Sequence, residues 1–166
     1  MHRLVALLLP LSALVGCANI AEVAPGTPYA DVTAKFGKPT TFCDLADGSN
    51  RAIWTSQPFG EQAWAAVVTT DGIVQSMQPV LKDKSFERLS QGTWTPERVR
   101  CAFGPPADVD EVGLPGVRKV VWSYRYRQYD VWYSMMYVFF DPATQIVVNH
   151  YPGPDPMYMY GDIWFF

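Results

Sequence analysis

The chain has 166 residues, which is enough for one domain or two very small ones. Asp and Glu outnumber Lys and Arg by 16 to 13, so the formal net charge is −3 at pH 7. This balance argues against a nucleic-acid-binding protein, because such proteins neutralise phosphates with a basic surface. Hydrophobic residues form 49% of the chain and aromatic residues 14%, which excludes a disordered protein and predicts a folded one.

Residues 1–16 have the composition of a secretory signal peptide. Arg3 supplies the positive start, and residues 4–15 are almost entirely apolar. The apolar stretch is shorter than the roughly 20 residues that a membrane-spanning helix requires. A buried N-terminal strand or helix of the fold is the alternative interpretation.

The signal-like stretch ends in Leu14-Val15-Gly16-Cys17, which resembles the lipobox of bacterial lipoproteins. The resemblance implies cleavage before Cys17, diacylglycerol on its thiol and palmitate on its new amine. Several acyl chains hold a protein firmly at a membrane, whereas one chain binds marginally. Ala18 stands where an Asp would favour inner-membrane retention in Gram-negative lipoproteins. We therefore expect residues 17–25 to tether the protein to the outer membrane, facing the periplasm.

The remaining chain contains an internal repeat. Val, Phe, Gly and Pro recur at a constant spacing of 67 residues, each set preceded by Gly-Thr. The two sets are Val32, Phe36, Gly37, Pro39 and Val99, Phe103, Gly104, Pro106. A Thr before the repeat, Thr27 or Thr95, suits the N-cap of a short helix, and Gly followed by Pro ends it. Each repeat is therefore predicted to begin with a helix.

Strand signals follow each predicted helix. The first repeat contains two apolar runs and then Asp71-Gly72, a strong hairpin-turn signal. The second repeat contains an alternating aromatic segment from Lys119 to Gln128 and a longer strand from Val131. The pattern predicts an α+β fold of two tandem helix-(helix)-three-strand repeats, residues 26–80 and 81–150, with an antiparallel sheet and the helices on one face.

The repeated motif resembles the BamE (SmpA/OmlA) family of small outer-membrane lipoproteins. The resemblance lies in Gly-Thr, Val, Phe-Gly-x-Pro and the following Trp-bearing strand, and Phe86, Leu89 and Gly92 fit it too. A typical member has one such unit, whereas this chain has two, an arrangement similar to that of beta-lactamase inhibitor protein. The resemblance implies a non-catalytic structural or assembly factor of the cell envelope that contacts protein partners, outer-membrane assembly machinery among them.

Cys43 and Cys101 remain once Cys17 is assigned to the anchor. The periplasm is oxidising, so the two thiols are candidates for a disulfide between the repeats. The alternative is a pair of buried free cysteines.

Aromatic side chains are the best candidates for a binding surface, because 15 of the 24 aromatic residues lie from Trp122 onward. Tyr and Trp are favoured anchors at protein interfaces. Prolines between positions 152 and 156 are predicted to end the last strand, and residues 151–166 form an aromatic tail that is either exposed or folded back. The candidate interaction residues are Tyr129, Trp132, Tyr133, Tyr158, Tyr160 and Trp164.

We expect no catalytic residues, no metal and no cofactor. His150 has no defined nucleophile or acid beside it in sequence, and Cys43, Cys101 and His150 lack the spacing of metal ligands. Two other functions stay open. One is an inhibitor or adaptor that grips a periplasmic or cell-wall enzyme through the tandem sheet, and the other is an envelope glycan- or lipid-binding module.

Overall fold

Short helices and antiparallel strands alternate along the chain, and the computed structural model describes residues 18–159. The helices are α1 Tyr29–Phe36, α2 Asp83–Phe86, α3 Pro96–Phe103 and α4 Pro156–Met159. Short 3₁₀ helices cover Ile20–Glu22 and Glu87–Ser90. The strands of the first repeat are β1 Thr41–Asp44, β2 Asn50–Thr55, β3 Ala63–Val68 and β4 Val74–Pro79. Those of the second are β5 Asp108–Val112, β6 Lys119–Gln128, β7 Trp132–Phe140 and β8 Val147–Pro154.

The helices α1 and α3 end at the repeated Phe-Gly motif, as predicted. Gly37 and Gly104 follow them with φ of 78° and 85°, a backbone conformation that disfavours any side chain. Thr95 caps α3, because its hydroxyl oxygen accepts the Arg98 N–H at 3.3 Å. The expected cap by Thr27 is wrong, since α1 begins after Pro28 and the Thr27 hydroxyl donates to the Ala24 carbonyl instead.

The strands form two four-stranded antiparallel sheets, β1-β2-β3-β4 and β5-β6-β7-β8. The α+β class and the two-repeat organisation are thus confirmed, but each repeat has four strands instead of three. The extra strands are β1 and β5, both at sheet edges. All side chains of β5 are exposed. Its sequence, Asp-Val-Asp-Glu-Val, therefore does not need the apolar alternation that marks a half-buried strand, and the strand was not predicted.

The prolines near the end of the chain do not stop the last strand. Pro152 lies opposite Met136 and Pro154 opposite Ser134 in the pairing of β8 with β7. Because β8 is an edge strand, a proline that lacks an N–H can face away from the sheet without breaking the ladder. The second repeat therefore extends past residue 150, its expected boundary.

Helix α1 packs against one face of the first sheet, and helices α2 and α3 pack against one face of the second. In the first repeat, Val32 of α1 is buried against Ala52, Trp54 and Ala66. In the second, Phe86 and Phe103 stack with ring centroids 4.8 Å apart and cover the aromatic side chains of β6. None of the described helices is long and apolar enough to span a bilayer.

The two repeats share one core, because α3 also packs on the second face of the first sheet. Ile53 and Ala65 belong to the same buried cluster as Val99 and Phe103. The layers thus run from α1 through the first sheet and α3 to the second sheet.

A disulfide between Cys43 and Cys101 links β1 to α3, with Cα atoms 6.1 Å apart. It joins the repeats across the layer that they share. Beside it, the Arg51 guanidinium donates to the Ala102 carbonyl at 3.3 Å.

Candidate interaction surface

The turn between β6 and β7, with the first residue of β7, forms a segment that we call the hairpin tip: Tyr129, Asp130, Val131 and Trp132. Three of its side chains, those of Tyr129, Val131 and Trp132, are large, apolar and exposed. Tyr129 is 70% exposed and Trp132 is 66% exposed. Tyr129 and Asp130 have positive φ of 52° and 59°, which non-glycine residues adopt only rarely. Tight turns of this mirror-image type match the twist of the flanking strands. The tip therefore presents the side chains of Tyr129 and Trp132 to solvent.

Helix α2 and the residue before it hold the hairpin tip in place. The Asp83 carboxylate accepts the Tyr129 N–H at 2.7 Å and the Tyr126 hydroxyl at 3.1 Å. Lys82 forms an ion pair with Asp130. Burial and the neighbouring Asp83 carboxylate raise the pKa of Tyr126, so its hydroxyl remains a proton donor. These contacts stabilise the unusual backbone of the tip.

A second group, the tyrosine pair, consists of Tyr133 on β7 and Tyr158 on α4. Their ring centroids lie 3.7 Å apart with an interplanar angle of 17°, a stacked arrangement. The Arg127 guanidinium carbon lies 3.8 Å from the centroid of the Tyr133 ring. Both tyrosines remain partly exposed. The stack therefore presents flat aromatic surface in an ordered orientation.

Arg127 connects the tyrosine pair to the first repeat. Its Nε donates to the Glu61 carboxylate at 2.7 Å, and its Nη1 donates to the Val131 carbonyl at 2.9 Å. The hydrogen bond that Arg127 donates to Glu61 raises the pKa of Arg127 above its ordinary value. The guanidinium is thus fixed on Tyr133 by contacts from both repeats.

The loop between β2 and β3 lies along β6. The Gln57 amide donates to the Arg125 carbonyl at 2.6 Å and its oxygen accepts the Arg125 N–H at 3.3 Å. Arg125 also donates to the Pro58 carbonyl. Phe59, the next residue in this loop, is 76% exposed. The sequence analysis did not identify Phe59 or Arg127. Phe59 could have been found as a single aromatic residue in a Pro-Phe-Gly turn.

The candidate residues fall into two sets. Tyr129 and Trp132 lie in the hairpin tip, and Tyr133 and Tyr158 form the stack. The other candidates, Tyr160, Trp164 and the lipidation site Cys17, lie outside the described residues, as does the signal-like segment 1–16.

Two features concern the expected lack of metal and catalytic residues: the distribution of possible metal ligands and the surroundings of His150. Between residues 18 and 159, no three His, Cys, Asp or Glu side chains cluster as metal ligands. His150 lies half-buried opposite Val138, and burial lowers its pKa. Its N–H bonds the side chain of Asn149, which is a local contact within β8.

Comparisons with protein-family models, curated proteins and solved structures find no match to this chain. The fold itself places the protein in the α+β class, as two tandem repeats with separate antiparallel sheets and a shared helical layer.

Proposed function

We propose that the protein is a lipid-anchored factor of the outer membrane that faces the periplasm and acts without catalysis, through protein contacts, in envelope organisation or assembly. The lipobox-like segment ending at Cys17 supports the anchor. The repeated Phe-Gly-x-Pro motif and its resemblance to the BamE family support the envelope role.

The stack of Arg127, Tyr133 and Tyr158 is the observation that carries the proposed protein contact. Tyr and Arg are enriched among residues that dominate binding energy at interfaces. Side chains that are already fixed lose little conformational freedom on binding, so more of the contact energy is retained. Here Glu61 fixes the guanidinium, and the α4 helix fixes Tyr158 on its partner ring.

The ion pair of Arg127 with Glu61 at this stack indicates which kind of partner surface can bind there. Arg127 is already paired with Glu61, so an incoming carboxylate would have to displace an existing ion pair. The exposed surface at the stack is therefore the aromatic area of the tyrosine pair. We therefore expect a partner surface that is mainly apolar and aromatic.

In-cell crosslinking of the tagged full-length chain, followed by mass spectrometry of the captured proteins, tests this proposal. The wild type should capture an envelope protein such as a component of the outer-membrane assembly machinery. Tyr133→Ser should reduce that capture by about tenfold, the loss of one interface anchor of about 1.4 kcal/mol. Leu114→Ser is the matched control, since Leu114 is 75% exposed in the loop between β5 and β6.

Two results would contradict the proposal. One is equal capture of the envelope partner by the wild type and Tyr133→Ser. The other is recovery of a single soluble enzyme as the partner, which would favour an inhibitor or adaptor.

A further inference from the structure

The beginning of the described chain and the hairpin tip line two pockets that share lining residues. Ala18 and Ile20 line a surface groove with Trp54, Gln62 and Trp64. Gln62 and Trp64 also line a cavity of about 200 Å³ that extends to Lys82 and Asp130 at the base of the tip. Gln62 and Trp64 thus border both the groove at Ala18 and the cavity beside the hairpin tip.

The other end of the described chain reaches the same region. Tyr158 stacks on Tyr133, which directly follows Trp132 of the tip. Met157 and Met159 beside it are exposed. Both ends of the described chain therefore lie in the region of the hairpin tip. Cleavage before Cys17 would remove residues 1–16, so the apolar sequence that remains beyond the described residues is Ile163-Trp164-Phe165-Phe166.

We propose that this end of the molecule lies against the lipid bilayer, with Tyr129, Val131 and Trp132 of the hairpin tip inserted into the interfacial layer. The inference rests on the proposed function, because the anchor at Cys17 immediately precedes Ala18 and brings the groove to the membrane. Trp and Tyr are enriched at the headgroup level, since each has an apolar ring and a polar group.

The direction of the side chains makes this contact compatible with the proposed protein contact. Trp132 and Tyr133 are consecutive residues of β7, so their side chains point to opposite faces of the sheet. Trp132 belongs to the membrane-facing tip, while Tyr133 stacks with Arg127 and Tyr158 on the other face.

The charges near the tip indicate a contact with lipid that does not depend on anionic headgroups. Lys82 pairs with Asp130, and Arg127 pairs with Glu61. The chain as a whole carries a net charge of −3, which anionic lipid would repel. We therefore infer that the aromatic side chains of the tip insert into a bilayer of zwitterionic lipid without a need for anionic headgroups.

Fluorescence quenching in a defined bilayer tests the proposal. The full-length lipoprotein is placed in nanodiscs of phosphatidylcholine brominated on its acyl chains, and tryptophan emission is compared with that in unbrominated discs. We expect bromine to quench the wild type and Trp132→Phe to lose about half or more of the quenching, because the inserted indole is gone. Leu114→Ser, which changes an equally exposed side chain beyond the opposite end of β6, should keep it.

Quenching that is unchanged in Trp132→Phe would overturn the inference, as would quenching that requires phosphatidylglycerol in place of phosphatidylcholine. The mass of the Cys17 peptide is measured on the same sample and reports acylation separately. An acylated chain without Trp132 quenching would refute the tip contact and leave the anchor intact. An unacylated chain would refute the proposed anchor, while the Trp132→Phe comparison still decides the tip contact.

Discussion

Arg125 on β6 and Asp155 after β8 form a buried bidentate ion pair. The Arg125 Nε and Nη2 atoms each donate to a different oxygen of the Asp155 carboxylate. The Asp155 side chain is 0% exposed, and its Oδ1 also accepts the Met157 N–H at 3.0 Å. The pair thereby fixes the start of α4, and with it Tyr158, against the second sheet.

Removing the carboxylate of this pair should strongly destabilise the protein. Asp155→Ala leaves the Arg125 guanidinium largely buried without its anion, which costs about 3 kcal/mol in the free energy of unfolding. Urea denaturation measures this loss. Glu111→Ala is the control, because it breaks the exposed pair with Arg118 and should cost less than about 1 kcal/mol. Equal losses in the two variants would contradict the buried pairing.

The two repeats allow a matched test of the helix-ending glycines. Gly37 and Gly104 share the same backbone conformation, so Ala at either position should cost on the order of 1–3 kcal/mol in strain. A Cβ on Gly104 would lie 3.3 Å from Ile53 Cγ2, whereas none of the described atoms comes within 4 Å of one on Gly37. Thermal denaturation should therefore show a larger loss for Gly104→Ala than for Gly37→Ala. The reverse order would contradict the packing of α3 on the first sheet.

The disulfide between Cys43 and Cys101 should contribute measurably to stability. The bridge spans a sequence separation of 58 residues, so removing it with Cys43→Ala plus Cys101→Ala should cost about 2–4 kcal/mol. Urea denaturation of the oxidised wild type and of the double variant measures the difference. Thiol counting by mass spectrometry on the wild type is the accompanying control, and two free thiols in the oxidised protein would refute the bridge.

Cys17→Ser tests the proposed anchor directly. A hydroxyl cannot replace the thiol that would carry diacylglycerol, so we expect labelled palmitate to be lost and the chain to leave the outer-membrane fraction. Cell fractionation with radiolabelled palmitate measures both. The double variant at Cys43 and Cys101 serves as the control and should keep the label. Retention of the label in Cys17→Ser would exclude this cysteine as the anchor.

Asp141 should show a pKa that depends on Lys119. The Lys119 ammonium donates to the Asp141 carboxylate at 2.6 Å, and the N–H groups of Thr144 and Ala143 add to it, so the pKa of Asp141 falls to about 2 from its ordinary 3.8. Because the charged form is favoured in the folded state, this contribution is complete above about pH 4 and is lost as the pH falls towards 2. NMR titration of Lys119→Met should show a higher pKa for Asp141. Arg118→Met, which changes the neighbouring cation, should leave the pKa unchanged.

Local signals explain which parts of the fold the sequence predicts. Gly37 and Gly104 mark helix ends because positive φ is a property of one residue and its neighbours. The strand β5 escapes detection because an exposed edge strand has no buried face. The strand β8 runs through Pro152 because, among the described residues, no further strand pairs with its outer edge.

The interaction surface also contains residues that a local sequence signal identifies and residues that it does not. Composition identifies Tyr129 and Trp132, since aromatic residues are concentrated from Trp122 onward and Tyr and Trp are favoured interface anchors. It does not identify the contact of Arg127 with Glu61, because 66 positions separate the two and only the packing of one repeat on the other brings them together. Residues whose role depends on such long-range pairing carry no local pattern.

The Gln57 side chain of the first repeat pairs with the backbone of β6 in the second repeat. Pairing of β5 with β6 reaches only as far as Ser123, so the backbone of Arg125 lies beyond the end of β5, and the Gln57 amide satisfies both its N–H and its carbonyl. Open strand edges of this kind invite pairing with other chains. The first repeat thus covers an open stretch of β6, and the second repeat expressed alone would expose the backbone of Arg125 to pairing with another chain.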